Sequence, residues 1–312
     1  MKAFVLSGFD APPALRDDLP VPSPGDHEVL VRVRSSSVNP VDAAIAGGML
    51  QGMLEHEFPI ILGRDYAGVV EEVGSGVTRY GAGVDVFGFV LHANPTVHDG
   101  SWAELIAVPE DISIAHAPAD VDASETGAAP LAAISAITAV DALDLSGTST
   151  VLVVGATGGV GSVAVQLAAQ AGATVIAPAL PEDEEYLRGL GVATIVDRNG
   201  DVAAAVRESH PDGVDALIDL VSYTPDALDA YLAAVRPDGR VASTNGAAGE
   251  GPGRVNVMAV PTPENLERLA RLLEAGTITI PIQESFPLAQ AGDALEALVT
   301  RHTQGKLAIT VA

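Results

Sequence analysis

The 312-residue sequence predicts an α/β chain in which a β-rich antiparallel module precedes a doubly wound parallel sheet. Three observations carry that prediction. Roughly the first 115 residues are β-branched or alternating runs punctuated by Pro and Gly. From residue 150 onward short apolar runs alternate with helical patterns. A glycine-rich turn joins the first of those runs to the first helix.

In order along the chain, 1–8 (MKAFVLSG), 28–38 (EVLVRVRSSSV), 66–74 (YAGVVEEVG) and 84–90 (VDVFGFV) read as strands. Between them lie turns at 20–26, 73–77 and 80–85. Short strands joined without helices form an antiparallel barrel or sandwich. Phe87 and Phe89 alternate within one strand and read as packing. After Pro118 the texture changes, and 124–143 is Ala-rich with helical spacing. Strand 150–156 and helix 160–172 follow, then strand 173–177 and helix 181–191, whose acidic first turn suits the helix dipole. Strand 194–197, helix 201–210, strand 214–221, helix 225–235 and strand 239–244 complete a βαβαβαβαβ series, the order of a parallel doubly wound sheet. Residues 262–276 form an amphipathic helix with Leu266, Leu269, Leu272 and Leu273 on one side. The segments 278–283 and 306–312 are strand-like again.

Composition narrows the function. Hydrophobic residues are 48% of the chain and charged residues 18%, which excludes a disordered polyelectrolyte. Net charge is −25, so phosphate backbones and anionic membranes are poor partners. No run of about 18 uncharged apolar residues predicts a membrane span. The absence of cysteine excludes disulfides, thiolate nucleophiles and cysteine-ligated zinc. The start, MKAFVLSGFDAPP, lacks the long apolar region of a signal peptide, so a cytoplasmic protein is expected. Only Lys2 and Lys306 are lysines, and the acid excess fits either a GC-rich genome or a salt-rich cytoplasm.

The turn after strand 150–156 reads Ala156-Thr157-Gly158-Gly159-Val160-Gly161, with Gly155 before it. This is the G-x-G-x-x-G dinucleotide pattern with Ala in place of the first glycine. Gly158 lets backbone N–H groups approach a pyrophosphate, and Gly161 lets the helix pack close to the sheet. The helix N-terminus adds partial positive charge. No Asp or Glu stands at the tip of strand 173–177 to take a ribose 2′-OH; Pro178, Ala179 and Leu180 follow instead. Residues 182–185 are acidic and repel a 2′-phosphate, whereas Arg198, after the next strand, is placed to bind one, with Arg188 a weaker option. NADP(H) is expected ahead of NAD(H).

With these residues the chain resembles the zinc-free medium-chain dehydrogenase/reductase superfamily, in its quinone oxidoreductase branch. The resemblance runs through 38–42 (VNPVD), 59–90 (PIILGRDYAGVVEEVGSGVTRYGAGVDVFGFV), 100–109, 155–177, 237–243 and Gly305-Lys306. It implies a Rossmann dinucleotide-binding domain (124–260) inserted in a GroES-like β-barrel catalytic domain (1–123 plus 261–312), with the active-site cleft between them. It also implies a homodimer through an edge strand at 255–260. Zinc is not expected: Gly63-Arg64-Asp65 stands where zinc enzymes of the superfamily carry Gly-His-Glu, and nothing beside His92 and His98 completes a ligand set.

The resemblance also supplies site candidates. Asn39, Asp42 and Arg64 match the family's cleft-facing segments. Asn39 could donate to a substrate carbonyl or merely precede Pro40 in a turn. Asp42 could cap the next helical turn, and Arg64 could pair with Asp65 or another carboxylate. Ala44 replaces a tyrosine frequent in the family. Thr138, Pro178, Asn245 and Lys306 join the glycine turn and Arg198 as cofactor contacts. Trp102 is either core or a lid. The implied activity is hydride transfer from NADPH to a quinone or an α,β-unsaturated carbonyl, with polar groups stabilising the developing oxyanion. An enoyl-thioester reductase and a non-catalytic nucleotide-binding relative are the alternatives.

Overall fold

The computed structural model of the chain describes residues 1–49, 51–52, 56–90 and 100–311. Strands β1 (Ala3–Leu6), β2 (Ala14–Arg16) and β3 (Glu28–Ser37) lead to helix α1 (Pro40–Ala46). Then come β4 (Ile60–Ile61), β5 (Asp65–Val73), β6 (Asp85–Phe89), β7 (Leu105–Pro109), β8 (Ala115–His116) and α2 (Ala123–Ala128). Helix α3 (Pro130–Leu143) precedes β9 (Thr150–Val154), α4 (Gly159–Gln170), β10 (Thr174–Ala179), α5 (Glu184–Leu190) and β11 (Thr194–Asp197). Next are α6 (Val202–Ser209), β12 (Val214–Asp219), α7 (Pro225–Leu232), β13 (Val235–Ser243) and β14 (Arg254–Asn256). The series ends with α8 (Pro263–Glu274), β15 (Ile282–Pro287), α9 (Ala291–Thr300) and β16 (Lys306–Thr310).

These elements form two units. The first comprises Met1–Leu131, Val260–Gly276 and Ile282–Ala312; the second comprises Ala132–Ala259 and Thr277–Pro281. The first boundary lies eight residues beyond the expected 123/124. Helix α2 packs on β3 so closely that a side chain at Gly127 would collide with Ser35, whose hydroxyl donates to the Ala123 carbonyl. Thr277–Pro281 join the second unit because the Gln166 side chain bonds Thr279 twice, Nε2 to its carbonyl and Oε1 from its N–H, each at 2.9 Å.

The first unit holds a sheet ordered β15-β16-β3-β5-β6-β8, with β7 also on β3, and a small sheet β2-β1-β4. All pairs are antiparallel except β15–β16. The two-residue period of β3 sends Val29, Val31 and Val33 into a core with Tyr66, Val70, Val86 and Ile106. Arg32 and Arg34 face solvent and pair with Glu71 and Asp85. A second core gathers Phe4, Leu6, Val38, Ile60, Trp102, Leu307 and Ile309. Trp102 is fully buried and its Nε1 donates to the Ser37 carbonyl at 3.1 Å, which makes it core and removes the lid alternative. Phe87 and Phe89 are buried, as their alternation predicts.

The second unit is a six-stranded parallel sheet ordered β11-β10-β9-β12-β13-β14. Numbered from β9, that is 3-2-1-4-5-6, the Rossmann order, whose direction reverses between β9 and β12. Strand β10 runs two residues past its expected end. Pro178 and Ala179 pair with Val196 and Asp197 of β11, while pairing to β9 stops at Ile176. The proline's missing N–H therefore falls beyond the β9 ladder. The expected edge strand at 255–260 is corrected to Arg254–Asn256, where β13 also ends at Ser243. It does lie at the sheet edge. Among the described residues no helix is long and apolar enough to cross a membrane.

Candidate active site

In the first unit, Asn39, Asp42, Arg64 and Lys306 come together although the sequence separates them by as much as 267 positions. Each is almost completely buried. Strand β16 brings Lys306 beside the end of β3, since Ala308 pairs with Ser37. The Lys306 Nζ donates to Asn39 Oδ1 at 2.6 Å and to the Val38 carbonyl at 3.0 Å. Asn39 Nδ2 donates to Asp65 Oδ2 at 2.8 Å. Asp65 Oδ2 also accepts from Ser37 Oγ at 2.6 Å and lies 3.6 Å from Lys306 Nζ. The other Asp65 oxygen accepts the Leu131 N–H at 2.7 Å, at the start of α3. Asp42 sits in the first turn of α1, and its Oδ2 accepts the Asn39 N–H at 2.8 Å. Its Oδ1 faces Arg64 Nε at 3.9 Å, an ion pair longer than a hydrogen bond.

Among the described residues the cluster thus sets Asp42 and Asp65 against Arg64 and Lys306, all out of contact with water. Burial pushes the Asp42 carboxyl up to about 6, and the nearby Arg64 only partly offsets this. Burial likewise lowers Lys306, against the pull of Asp65 and Asp42. Such an arrangement contributes little net stability, but removing one partner costs roughly 3–5 kcal/mol because a charge is left buried. The cluster locks the Asn39 amide, nitrogen toward a carboxylate and oxygen toward an ammonium. Asp42 takes the capping role open to it in sequence, and Arg64 pairs with Asp42 rather than Asp65. Sequence reasoning passed over Asp65 as a site residue; the signal available was a carboxylate opening an otherwise apolar strand.

In the second unit, the turn from Gly155 to Gly161 lies at the carboxyl ends of β9 and β12, the place where doubly wound sheets bind ligands. A Cβ on Gly161 would lie 2.1 Å from the Gly155 carbonyl oxygen, so helix α4 approaches its strand as no other residue permits. A Cβ on Gly158 would meet only that same oxygen, at an ordinary 3.7 Å. The protein's packing therefore does not require Gly158, and the turn leaves room there for a ligand to approach. No side chain caps α4, whose first N–H groups follow Gly158. These features fit the pyrophosphate of a dinucleotide.

The remaining predicted contacts are placed as follows. Ala156 is buried beneath the turn, and Thr157, Gly159 and Val160 are half-buried. Pro178 is buried within β10 rather than at its tip. Arg198 is exposed, its N–H donating to the Ala179 carbonyl at 3.2 Å, which sets it at the carboxyl end of β10. Arg188 is engaged by Glu184 at 2.9 Å on the exposed face of α5. Thr138 donates its hydroxyl to Ile134 within α3. Asn245 ties the turn after β13 to the Leu220 carbonyl through Nδ2 at 3.2 Å. Sequence reasoning missed Asp219, the last residue of β12, which is fully buried and accepts from Ser222 Oγ at 3.0 Å. His92 and His98 lie outside the described residues.

Residues 25–119 match the alcohol dehydrogenase GroES-like domain family, and residues 190–309 match the zinc-binding dehydrogenase family. The chain is 30% identical over 313 residues to a chloroplast envelope quinone oxidoreductase homolog of Arabidopsis thaliana, covering 93% of this chain and 92% of that protein. It is 29% identical to a chloroplastic NADPH-dependent alkenal/one oxidoreductase of the same plant, over 99% of this chain and 79% of that protein. The solved quinone oxidoreductase from Coxiella burnetii superposes with a TM-score of 0.88 at 27% identity, covering 100% of this chain and 99% of that one. The chain belongs to the medium-chain dehydrogenase/reductase superfamily, in its quinone oxidoreductase branch. Like these relatives it is an oxidoreductase. A zinc ion does not fit the buried cluster. Its two carboxylates already face Arg64 and Lys306, and no three His, Cys, Asp or Glu side chains converge among the described residues.

Proposed function

We propose that the protein is an NADPH-dependent reductase that transfers hydride to a quinone or an α,β-unsaturated carbonyl, without zinc. The observation that carries this is Gly158, a glycine with space above it in a Rossmann turn, in a chain related to quinone and alkenal/one oxidoreductases. When bound, the nicotinamide supplies the hydride. Arg198 is the proposed partner of the 2′-phosphate: it is exposed and no carboxylate pairs with it among the described residues. Of the acids following β10, Glu182 is exposed, whereas Asp183 is buried and accepts the Leu180 N–H. The Asn39–Asp65–Lys306 network holds its polar atoms fixed instead of exposing an acid. The proton that completes reduction of an enone is accordingly assigned to solvent.

Two further proposals are added, of which the homodimer follows the family. The protein forms a homodimer through β14, whose three residues are exposed, with Met258 beyond it 75% exposed. It works in the cytoplasm. The activity is tested by titrating the purified protein with NADPH and NADH side by side through nicotinamide fluorescence. Acceptors are then screened: 1,4-benzoquinone, 9,10-phenanthrenequinone and a small enone. Tighter NADPH binding with turnover of any of these is expected. Turnover of enoyl-thioesters alone would refute the proposal.

A further inference from the structure

We infer that Asp219 discriminates between the two redox forms of the bound dinucleotide, favouring the oxidised one. This rests on the dinucleotide reading above. Asp219 ends β12, beside Val154 of β9 in the sheet register, at the point where the strand order reverses. The turn that follows it lies on the glycine turn: a Cβ on Gly155 would come within 2.9 Å of Val221 Cγ1 and 3.1 Å of Leu220 Cβ. In a doubly wound sheet the adenosine ribose is read at the tip of the second strand, here β10. The nicotinamide half therefore extends over the other side of the reversal, toward β12 and β13.

Asp219 differs from the other carboxylates of the two sites. Asp42 and Asp65 each face a cation, whereas no cation pairs with Asp219 among the described residues. Its carboxyl meets donors alone: the Ser222 N–H at 3.3 Å from each oxygen, Ser222 Oγ at 3.0 Å and Ser243 Oγ at 3.5 Å. Burial, the largest influence, raises the pKa of the group, and the Ser222 and Ser243 donors, with no competing acceptor, favour the ionised form against it. An unneutralised buried charge is costly, and it suits a ligand that carries the opposite charge in one of its states. A nicotinamide ring is neutral when reduced and positive once its hydride has left. A fixed negative charge nearby stabilises the second state and so strengthens the reduced form as a hydride donor.

The same residues also form a mechanical tie. Ser243 Oγ accepts from the N–H groups of Asn245 and Ala247, and Asn245 reaches the Leu220 carbonyl. A tie affects both redox forms alike; a charge alters their ratio. The experiment is calorimetric titration at pH 7.5 with NADP+ and with NADPH, on the wild type, Asp219→Asn, Ser222→Ala and Asn245→Asp. The ratio of the NADP+ to the NADPH dissociation constant is expected to rise about three- to tenfold in Asp219→Asn, the size of a charge effect across several ångströms of protein. Ser222→Ala leaves the carboxylate in place, with the Ser222 N–H and Ser243 Oγ still on it, so the ratio is expected to move less than in Asp219→Asn. Asn245→Asp adds a carboxylate on a half-exposed turn and lowers the ratio. If Asp219→Asn shows no cooperative melting, Asp219→Ser, which also removes the charge, is read in its place. Equal weakening of both forms in the folded variants overturns the inference while the dinucleotide reading stands. Failure of the wild type to bind either form overturns both.

Discussion

Gly158 and Gly161 sit three residues apart in one turn, yet a methyl group makes only an ordinary contact at the first and collides with backbone at the second. The two alanine variants should therefore fail differently. Gly161→Ala should lose roughly 1–3 kcal/mol or more of stability, read as a lowered urea midpoint. Gly158→Ala should keep the wild-type midpoint and lose cofactor affinity, read by fluorescence titration. Asp42 offers a pH test. Its carboxyl is raised to about 6 in the folded chain from an ordinary value near 3.8. A raised group contributes stability below its unfolded pKa and loses it as pH rises through the folded value, so its contribution declines between about pH 4 and 6. Glu110, held low by the N–H groups of Thr78 and Arg79, pulls the other way, so the difference between variants is what counts. Relative to wild type, Asp42→Asn should remove a downward slope of up to about 1.4 kcal/mol per pH unit in stability measured by urea titration across that window. Single residues were only partly legible in the sequence. Asn39, Asp42, Arg64 and Lys306 were visible through their motifs. Asp65 and Asp219 were not singled out, because burial and the absence or presence of a facing cation are tertiary facts that one carboxylate in a strand does not announce.

At the scale of elements, the alternation of apolar runs with helical spacing was enough to read β9 through β13 in order, since the two periods differ so plainly. Element ends were less legible. Strand β10 carries on through a proline because its neighbour β9 has already stopped pairing, and α2 joins the first unit because a glycine lets it touch β3. Neither pairing partners nor close approach can be read from local composition. Arg198 is the element-level test of cofactor choice, as the first residue after β11. Arg198→Ala should weaken NADPH at least about tenfold, or 1.4 kcal/mol, and leave NADH within about twofold in parallel titrations. For the edge strand, Val255→Lys combined with Met258→Glu should convert the proposed dimer to monomer in sedimentation velocity, with the melting of the Rossmann sheet retained. A wild type that already sediments as a monomer would remove the dimer proposal.

For the molecule as a whole, net charge −25 on 312 residues means mutual repulsion across the surface. Screening lengths fall from about 30 Å at 0.01 M salt to about 3 Å at 1 M. The melting temperature should therefore rise by several degrees between these salt concentrations, with most of the gain below about 0.2 M; a flat response would show that the acidic residues are already neutralised in pairs. The two-unit organisation has a consequence for how the molecule is made. Lys306 meets an asparagine that precedes it by 267 residues. On a ribosome, Asn39 and Asp65 leave the exit tunnel long before their ammonium partner is even translated. The strands β9 to β14 are by then all outside and able to assemble. Until β16 emerges, the carboxylate centre of the first unit lacks its ammonium partner. Vectorial synthesis thus imposes an order of maturation, the sheet of the second unit before the buried cluster of the first.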